Sequence, residues 1–164
     1  MNVTLKRQCP KDSTWMTQIK YEGQIIDQCT LCGGTWLDGG EFQAILTSRE
    51  KKFTDKEIKN AKYLDKIQVV ELERRKILAC VVCKAPLVKK DLKTGSKITI
   101  DVCPRGHGTW LDHGELERIQ ILVEEAERKA AEKNPDESTH YSELLKQART
   151  TIIPAKCRGS SKSG

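Results

Sequence analysis

At 164 residues, with 37% hydrophobic, 5% aromatic and 32% charged content, the chain has too little apolar material for a single large core. Its longest apolar run, residues 77–83, falls far short of the ~20 residues of a membrane span, so no membrane association is expected. The formal net charge of +6 is uneven: residues 1–100 hold 19 Lys and Arg against 12 Asp and Glu, and residues 101–164 hold 10 against 11, so an anionic partner should prefer the first hundred residues.

Residues 1–53 read as a first small module. Cys9-x2-Asp12 opens it, and Thr14 to Gln28 carries Met16, Ile19, Ile25 and Ile26 around Glu22-Gly23, the pattern of a β-hairpin. The hairpin delivers the chain to Cys29-x2-Cys32-Gly-Gly-Thr-Trp-Leu-Asp-x-Gly-Glu. A Cys-x2-Cys turn presents two thiolates to one ion, so Cys9, Cys29 and Cys32 are candidate zinc ligands. Asp12 stands where a fourth cysteine is expected. It either completes the tetrahedron as a carboxylate or is a turn residue after Cys9-Pro10, with water in the fourth position. Three protein ligands plus water is also a catalytic arrangement, but no nearby group suits a general base, so the zinc is read as structural. Asp38 and Glu41 form a capping box that opens a helix, and Trp36 is expected to cover the apolar side of the metal site.

Thr54-Asp-Lys-Glu57 is another capping box, followed by Ile58, Ala61, Leu64 and Ile67 at helical spacing and continuing through Val70 to Ile77 without Gly or Pro. This predicts a long linker helix over 54–78, basic in its first half through Lys51, Lys52, Lys56, Lys59, Lys62 and Lys66.

Residues 79–134 then repeat the first module. Cys80-x2-Cys83 leads to a hairpin over Pro86 to Val102, turning at Thr94-Gly95, and Cys103-x3-His107-Gly-Thr-Trp-Leu-Asp-x-Gly-Glu places Trp110 74 residues after Trp36. Cys80, Cys83, Cys103 and His107 make a second tetrad, with His107 where Gly33 stands in the first copy. Asp112 and Glu115 repeat the capping box, and a long acidic helix runs on through Leu116, Ile119, Val123 and Ala130 to Asn134-Pro135. A last helix falls within 135–153, with Tyr141, Leu144, Leu145 and Ala148 on one side. Residues 154–164 read as a disordered basic tail holding the seventh cysteine, Cys157. His113 and His140 are expected to be solvent-exposed. Disulfides would suit a secreted chain, whereas residues 1–7 have no apolar signal core, so a cytoplasmic chain with reduced thiols is expected. Two structural Zn²⁺ ions, each contributing ~10–16 kcal/mol to folding, would supply what the core lacks.

Cys-Pro-x2 followed by a hairpin, Cys-x2-Cys-Gly-Gly-x-Trp-Leu-Asp-x-Gly-Glu and a helix resembles the transcription factor IIB-type zinc-ribbon family of small bacterial and phage proteins, over residues 7–47 and 78–120. Gly-His-Gly-Thr-Trp in the second copy resembles a histidine-bearing variant of that block. Asp12 and the shifted Cys103-x3-His107 pair depart from the pattern. The resemblance implies a zinc-stabilised fold and an origin in transcription machinery.

The expected fold is therefore small, metal-stabilised α+β: two zinc ribbons, each followed by a helix, held apart and joined by the linker helix. The leading functional expectation is a non-enzymatic zinc adaptor or regulator that contacts a transcription or other nucleic-acid machine through protein surfaces. Non-specific phosphate contact could come from Lys51, Lys52, Lys56, Lys59, Lys84, Lys89, Lys90, Lys93 and Lys97. Trp15, Trp36 and Trp110 are expected to have structural work, which leaves little for base stacking. The alternative is a protein-binding scaffold without a nucleic-acid role, with a homodimer through the charged helices as one form of it. A redox- or metal-responsive enzyme using Cys9, Cys29 and Cys32 is third, since no companion catalytic group is visible.

Overall fold

The computed structural model describes residues 6–48, 50–67, 76–92 and 98–133. Residues 135–153 and the tail, with His140 and Cys157, lie outside the described residues, as do Lys93, Lys97 and the turn at Thr94-Gly95. The elements in order are β1 (Thr17–Tyr21), β2 (Gln24–Gln28), β3 (Thr35–Asp38), α1 (Glu41–Thr47), α2 (Asp55–Ile67), β4 (Val88–Asp91), β5 (Thr99–Val102), β6 (Gly108–Leu111) and α3 (Glu115–Lys133).

The first hairpin closes through a two-residue turn in which Glu22 and Gly23 both adopt left-handed φ, 47° and 74°, and Tyr21 pairs with Gln24. This primed turn matches the twist of its strands. In the second hairpin Asp91 pairs with Thr99, and the Leu92 N–H donates to the Ile98 carbonyl at 2.9 Å.

The two ribbons are not held apart. They join in one six-stranded sheet ordered β1-β2-β3-β6-β5-β4, with antiparallel β3 and β6 at its centre. Trp36 lies directly opposite Trp110, its own counterpart in the other repeat, so an approximate twofold axis passes between them. The physical reason lies in the strands. Thr35, Trp36 and Leu37 are all buried, as are all four residues of β6, so each strand needs cover on both faces and a partner on its open edge. Each repeat supplies what the other lacks.

Alternation along the central strands divides the side chains. Leu37 and Leu111 face the helices, where they join Ile26, Ile100 and Val102 from the sheet, Phe42 and Ile45 from α1, and Leu116, Ile119 and Val123 from α3 in one core drawn from both repeats. Trp36 and Trp110 face the other way, into a second cluster with Cys9, Cys29, Cys80, Cys103, Met16 and Leu87. The short apolar inventory is therefore pooled rather than split between two modules.

The described part of the linker helix falls inside the expected span, and residues 76–78 at its expected end are not helical. Thr54 caps α2, its hydroxyl accepting the Glu57 N–H at 3.3 Å while Glu57 Oε2 accepts the Thr54 N–H at 2.8 Å. The helix occupies Asp55–Ile67 and lies against α3, with Lys62 Nζ 2.7 Å from Glu125 Oε1. Residues 68–75 lie outside the described residues, and 76–78 are not helical. The Leu78 carbonyl accepts the Leu87 N–H at 2.8 Å, so the backbone there already belongs to the second hairpin. No helix among the described residues is long and apolar enough to cross a membrane.

A buried carboxylate ties the ribbons on the helical side. Glu22, at the first hairpin's tip, accepts hydrogen bonds from Ser48 Oγ (2.6 Å), the Glu50 N–H (3.0 Å), the Lys51 N–H (2.8 Å) and Gln120 Nε2 of α3 (3.4 Å). Burial alone would raise the pKa of this carboxyl, but these donors outweigh it and hold the group below the usual carboxylate range.

Candidate metal centres

Four short loops of nearly one design carry the candidate ligands. In each, the leading cysteine N–H donates five residues on: Cys9 to the Thr14 carbonyl, Cys29 to Gly34, Cys80 to Ala85 and Cys103 to Gly108, at 2.8–2.9 Å. Its carbonyl accepts a backbone N–H four residues on in three loops, from Ser13, Gly33 and Lys84, and these residues have left-handed φ of 64°, 72° and 60°. In the fourth loop the return bond comes three residues on, from Gly106, whose φ is 78°. This shift accounts for the spacing Cys103-x3-His107. With the left-handed turn one residue early, the next position, His107, takes the ligand's place.

The loops bring the eight sequence-predicted residues together as two groups: Cys9, Asp12, Cys29 and Cys32, and Cys80, Cys83, Cys103 and His107, with the ligand atoms of each group within 4.8 Å of one another. Cys9 and Cys32 sulfurs are 3.6 Å apart and those of Cys83 and Cys103 3.7 Å. Four Zn–S bonds of ~2.3 Å in a tetrahedron set edges of about 3.8 Å, whereas a disulfide needs ~2.05 Å. The six cysteines are free thiols at the spacing of zinc ligands. His107 turns Nδ1 inward, 3.4 Å from Cys103 Sγ and 4.0 Å from Cys80 Sγ. Asp12 sets its two carboxylate oxygens 3.6 and 3.4 Å from Cys29 Sγ, and Oδ1 also accepts the Thr14 N–H at 2.9 Å. That N–H is the leading cause holding the carboxyl strongly acidic. The chain thus carries two structural zinc centres, one per ribbon.

Backbone donors surround the sulfurs. The N–H groups of Lys11, Cys32, Val82 and Arg105 lie 3.4 Å from the sulfurs of Cys9, Cys29, Cys80 and Cys103. Burial pushes the Cys9 thiol up and the Cys80 thiol to about 11, while the Ala85 N–H draws Cys83 down to about 6. Buried thiols of this kind stay protonated without a cation, and a bound Zn²⁺ supplies the charge that ionises them.

Asp38 does not cap α1, and the Asp of each Trp-Leu-Asp segment serves its own tryptophan. The N-cap of α1 is Gly40, with φ 99° and no side-chain cap bond. Asp38 Oδ1 instead accepts the Trp36 indole N–H at 2.9 Å, and Asp112 Oδ1 accepts that of Trp110 at 3.1 Å. A buried indole N–H needs an acceptor, and each aspartate supplies one two residues on. The glutamate half of the box does form: Glu41 and Glu115 accept the Asp38 and Asp112 N–H groups at 2.7 and 2.9 Å. Sequence reasoning missed the cations that neutralise these aspartates. Arg7 bridges Asp27 and Asp38 at 2.9 and 2.8 Å, and Lys11 reaches across the ribbons to Asp112 at 3.1 Å. Their positions flanking Cys9 were the available signal.

Both central tryptophans are fully buried, whereas Trp15, expected to be structural, is 57% exposed. Among the proposed phosphate contacts, Lys89 pairs with Asp101 at 2.7 Å and Lys51 with Glu117 at 3.7 Å, while Lys52, Lys56 and Lys59 are exposed on and just before α2. His113 is exposed, its ring set against Gly33 of the other ribbon.

A family model described as "Transcription factor zinc-finger" matches residues 8–48 and again residues 79–120, together half of the chain. No curated protein and no solved structure matches it.

Proposed function

Since the chain belongs to the transcription-factor zinc-finger family, of which it carries two ribbons, we propose that it is a non-enzymatic adaptor that docks on a protein of a transcription or other nucleic-acid machine. The observation that carries this reading is a pair of exposed apolar side chains, one on a ligand loop of each metal centre. Leu31, between Cys29 and Cys32, is 72% exposed, and Val82, between Cys80 and Cys83, is 46% exposed. Each sits on a loop pinned at both sides by metal ligands. A partner that buries it orders little that is not already ordered, so the contact keeps most of its hydrophobic gain.

Nucleic acid is the weaker part of the proposal. The buried Trp36 and Trp110 cannot stack on bases, and the ion pairs of Lys51 and Lys89 offset part of the basic surface. Lys52, Lys56 and Lys59 support at most phosphate contact around a protein-held site.

The test is affinity capture from native lysate with zinc-loaded chain of measured metal content, with and without nuclease, and with partners identified by mass spectrometry. A subunit of a nucleic-acid machine should survive nuclease and be lost with the Leu31→Ser, Val82→Ser double variant. A partner released by nuclease would move the function to nucleic acid. Retention by the double variant would overturn the proposed surface.

A further inference from the structure

Helix α2 is held differently from the other two helices. Within its seven residues α1 buries Phe42, Ile45 and Leu46, and α3 sends Leu116, Ile119 and Val123 into the shared core. Of the α2 side chains described, only Ala61 is fully buried, and the helix rests on α3. We propose that α2 is a strap: it lifts from α3 as a unit and uncovers Ile121, which lies between Glu117 and Glu125 on α3, while the sheet, α1, α3 and both metal centres stay folded.

The first support is open space on both flanks of the strap. A cavity of about 480 Å³ is bordered by Ala61, Leu64, Arg118 and Ile121, and another of about 400 Å³ by Phe53, Ile58, Ile121 and Glu125. Ile121 lines both. Ile58 and Leu64, three residues to either side of Ala61, therefore border these cavities instead of interlocking with a packed wall, and lifting the helix forfeits few close contacts.

The second support is the kind of tie that remains. Lys62 Nζ holds Glu125 Oε1 at 2.7 Å, but Glu125 also pairs with Arg128 of its own helix at 2.9 Å. When Lys62 leaves, that carboxylate keeps a cation and no bare charge is stranded on α3. The third is that the strap begins on its own terms. Its capping box, Thr54 with Glu57, is closed within the helix, and the Glu50 and Lys51 N–H groups just before it stay fixed on Glu22 at 3.0 and 2.8 Å. The hinge thus falls at Lys52 and Phe53.

Hydrogen exchange of the zinc-loaded full chain, read by mass spectrometry, measures the opening directly. A 13-residue helix is marginal once it leaves its support, so lifted α2 exposes its amides to exchange. They should exchange on the order of 100-fold faster than the amides of β3 and β6. Lys62→Glu sets like charge against Glu125 and should speed α2 by roughly a further fivefold, with β3 and β6 unchanged. Lys59→Glu makes the same change of charge at an exposed position of the same helix and should stay within about twofold of wild type. Exchange of α2 in step with β3 and β6 would overturn the strap. So would a Lys62→Glu effect that is absent, that spreads to the central strands, or that Lys59→Glu reproduces.

Discussion

Replacing Gly108 with alanine separates a single cooperative sheet from two ribbons that fold alone. An added Cβ would lie 2.1 Å from the Leu37 carbonyl oxygen of the other ribbon and 2.8 and 2.9 Å from atoms of the Trp36 ring. The first obstacle is backbone in the central strand pair, and the second is a fully buried ring with nowhere to turn. Relief requires β3 and β6 to part by about 1 Å at the Asp38–Gly108 end of their ladder. Overpacking of this kind costs ~1–3 kcal/mol, and loosening one ladder hydrogen bond adds ~1 kcal/mol, so the variant should lose about 2–4 kcal/mol. Gly34→Ala is its twofold mate, with the Cβ 2.2 Å from the Trp110 ring, and should cost slightly less because only a side chain stands in the way. Urea unfolding of the zinc-loaded protein, followed by tryptophan fluorescence and far-UV circular dichroism, should show one transition at lower midpoint with unchanged slope. A loss under 0.5 kcal/mol, or two transitions of which only one moves, would refute the shared sheet.

Cys80→Ser should remove one zinc and destabilise the whole described fold in a single transition, since residues of the second ribbon fill the common core; metal content per chain and circular dichroism report both. Asp12→Ala should keep the fold and weaken zinc at the first centre by roughly 10–100-fold, the range for losing a supporting group around a metal, as read by competition with a chelator. Glu22→Gln should cost about 1.5–3 kcal/mol, because a charged acceptor of several buried donors is lost. The folded carboxyl lies below its unfolded value, so its contribution is present above about pH 4.3 and disappears as the pH falls through the lower folded value. Accordingly the difference between wild type and Glu22→Gln in urea should shrink on acidification through that window, and a constant difference would refute the charged role. Zinc binding by metal-free chain should release protons, with Cys80 contributing at neutral pH and Cys83, already near 6, contributing less. Uptake of zinc in weakly buffered solution without a pH drop would contradict this.

The metal centres were legible because ligand spacing is local. Even the shifted Cys103-x3-His107 pair could be read by requiring four ligands, although its cause, a left-handed turn moved to Gly106, is a backbone property that spacing does not carry. The central sheet was not legible, because Thr-Trp-Leu-Asp looks like the approach to a helix and is too short to display alternation. Its signal is instead that neither face offers a residue suited to water, and that implies a covering partner without naming it. The expected end of the linker helix at 78 was misplaced for a related reason. No local breaker precedes Ile77, and the demand that ends helical structure before Leu78 comes from Leu87 in the next hairpin.

Duplication resolves the conflict between a poor apolar composition and a stable fold. A lone ribbon would expose β3 along its inner edge and leave Trp36 without cover from Gly108, whereas the second copy buries both at once and receives the same service for β6 and Trp110 from Gly34. The metals remain two separate centres, each closed within its own ribbon, yet both anchor the apolar cluster that contains the paired tryptophans. Zinc lost from one ribbon should therefore loosen the ground on which the other stands. Binding at the two centres should accordingly be cooperative through the shared cluster, and a zinc titration of the metal-free chain should be steeper than two independent sites allow.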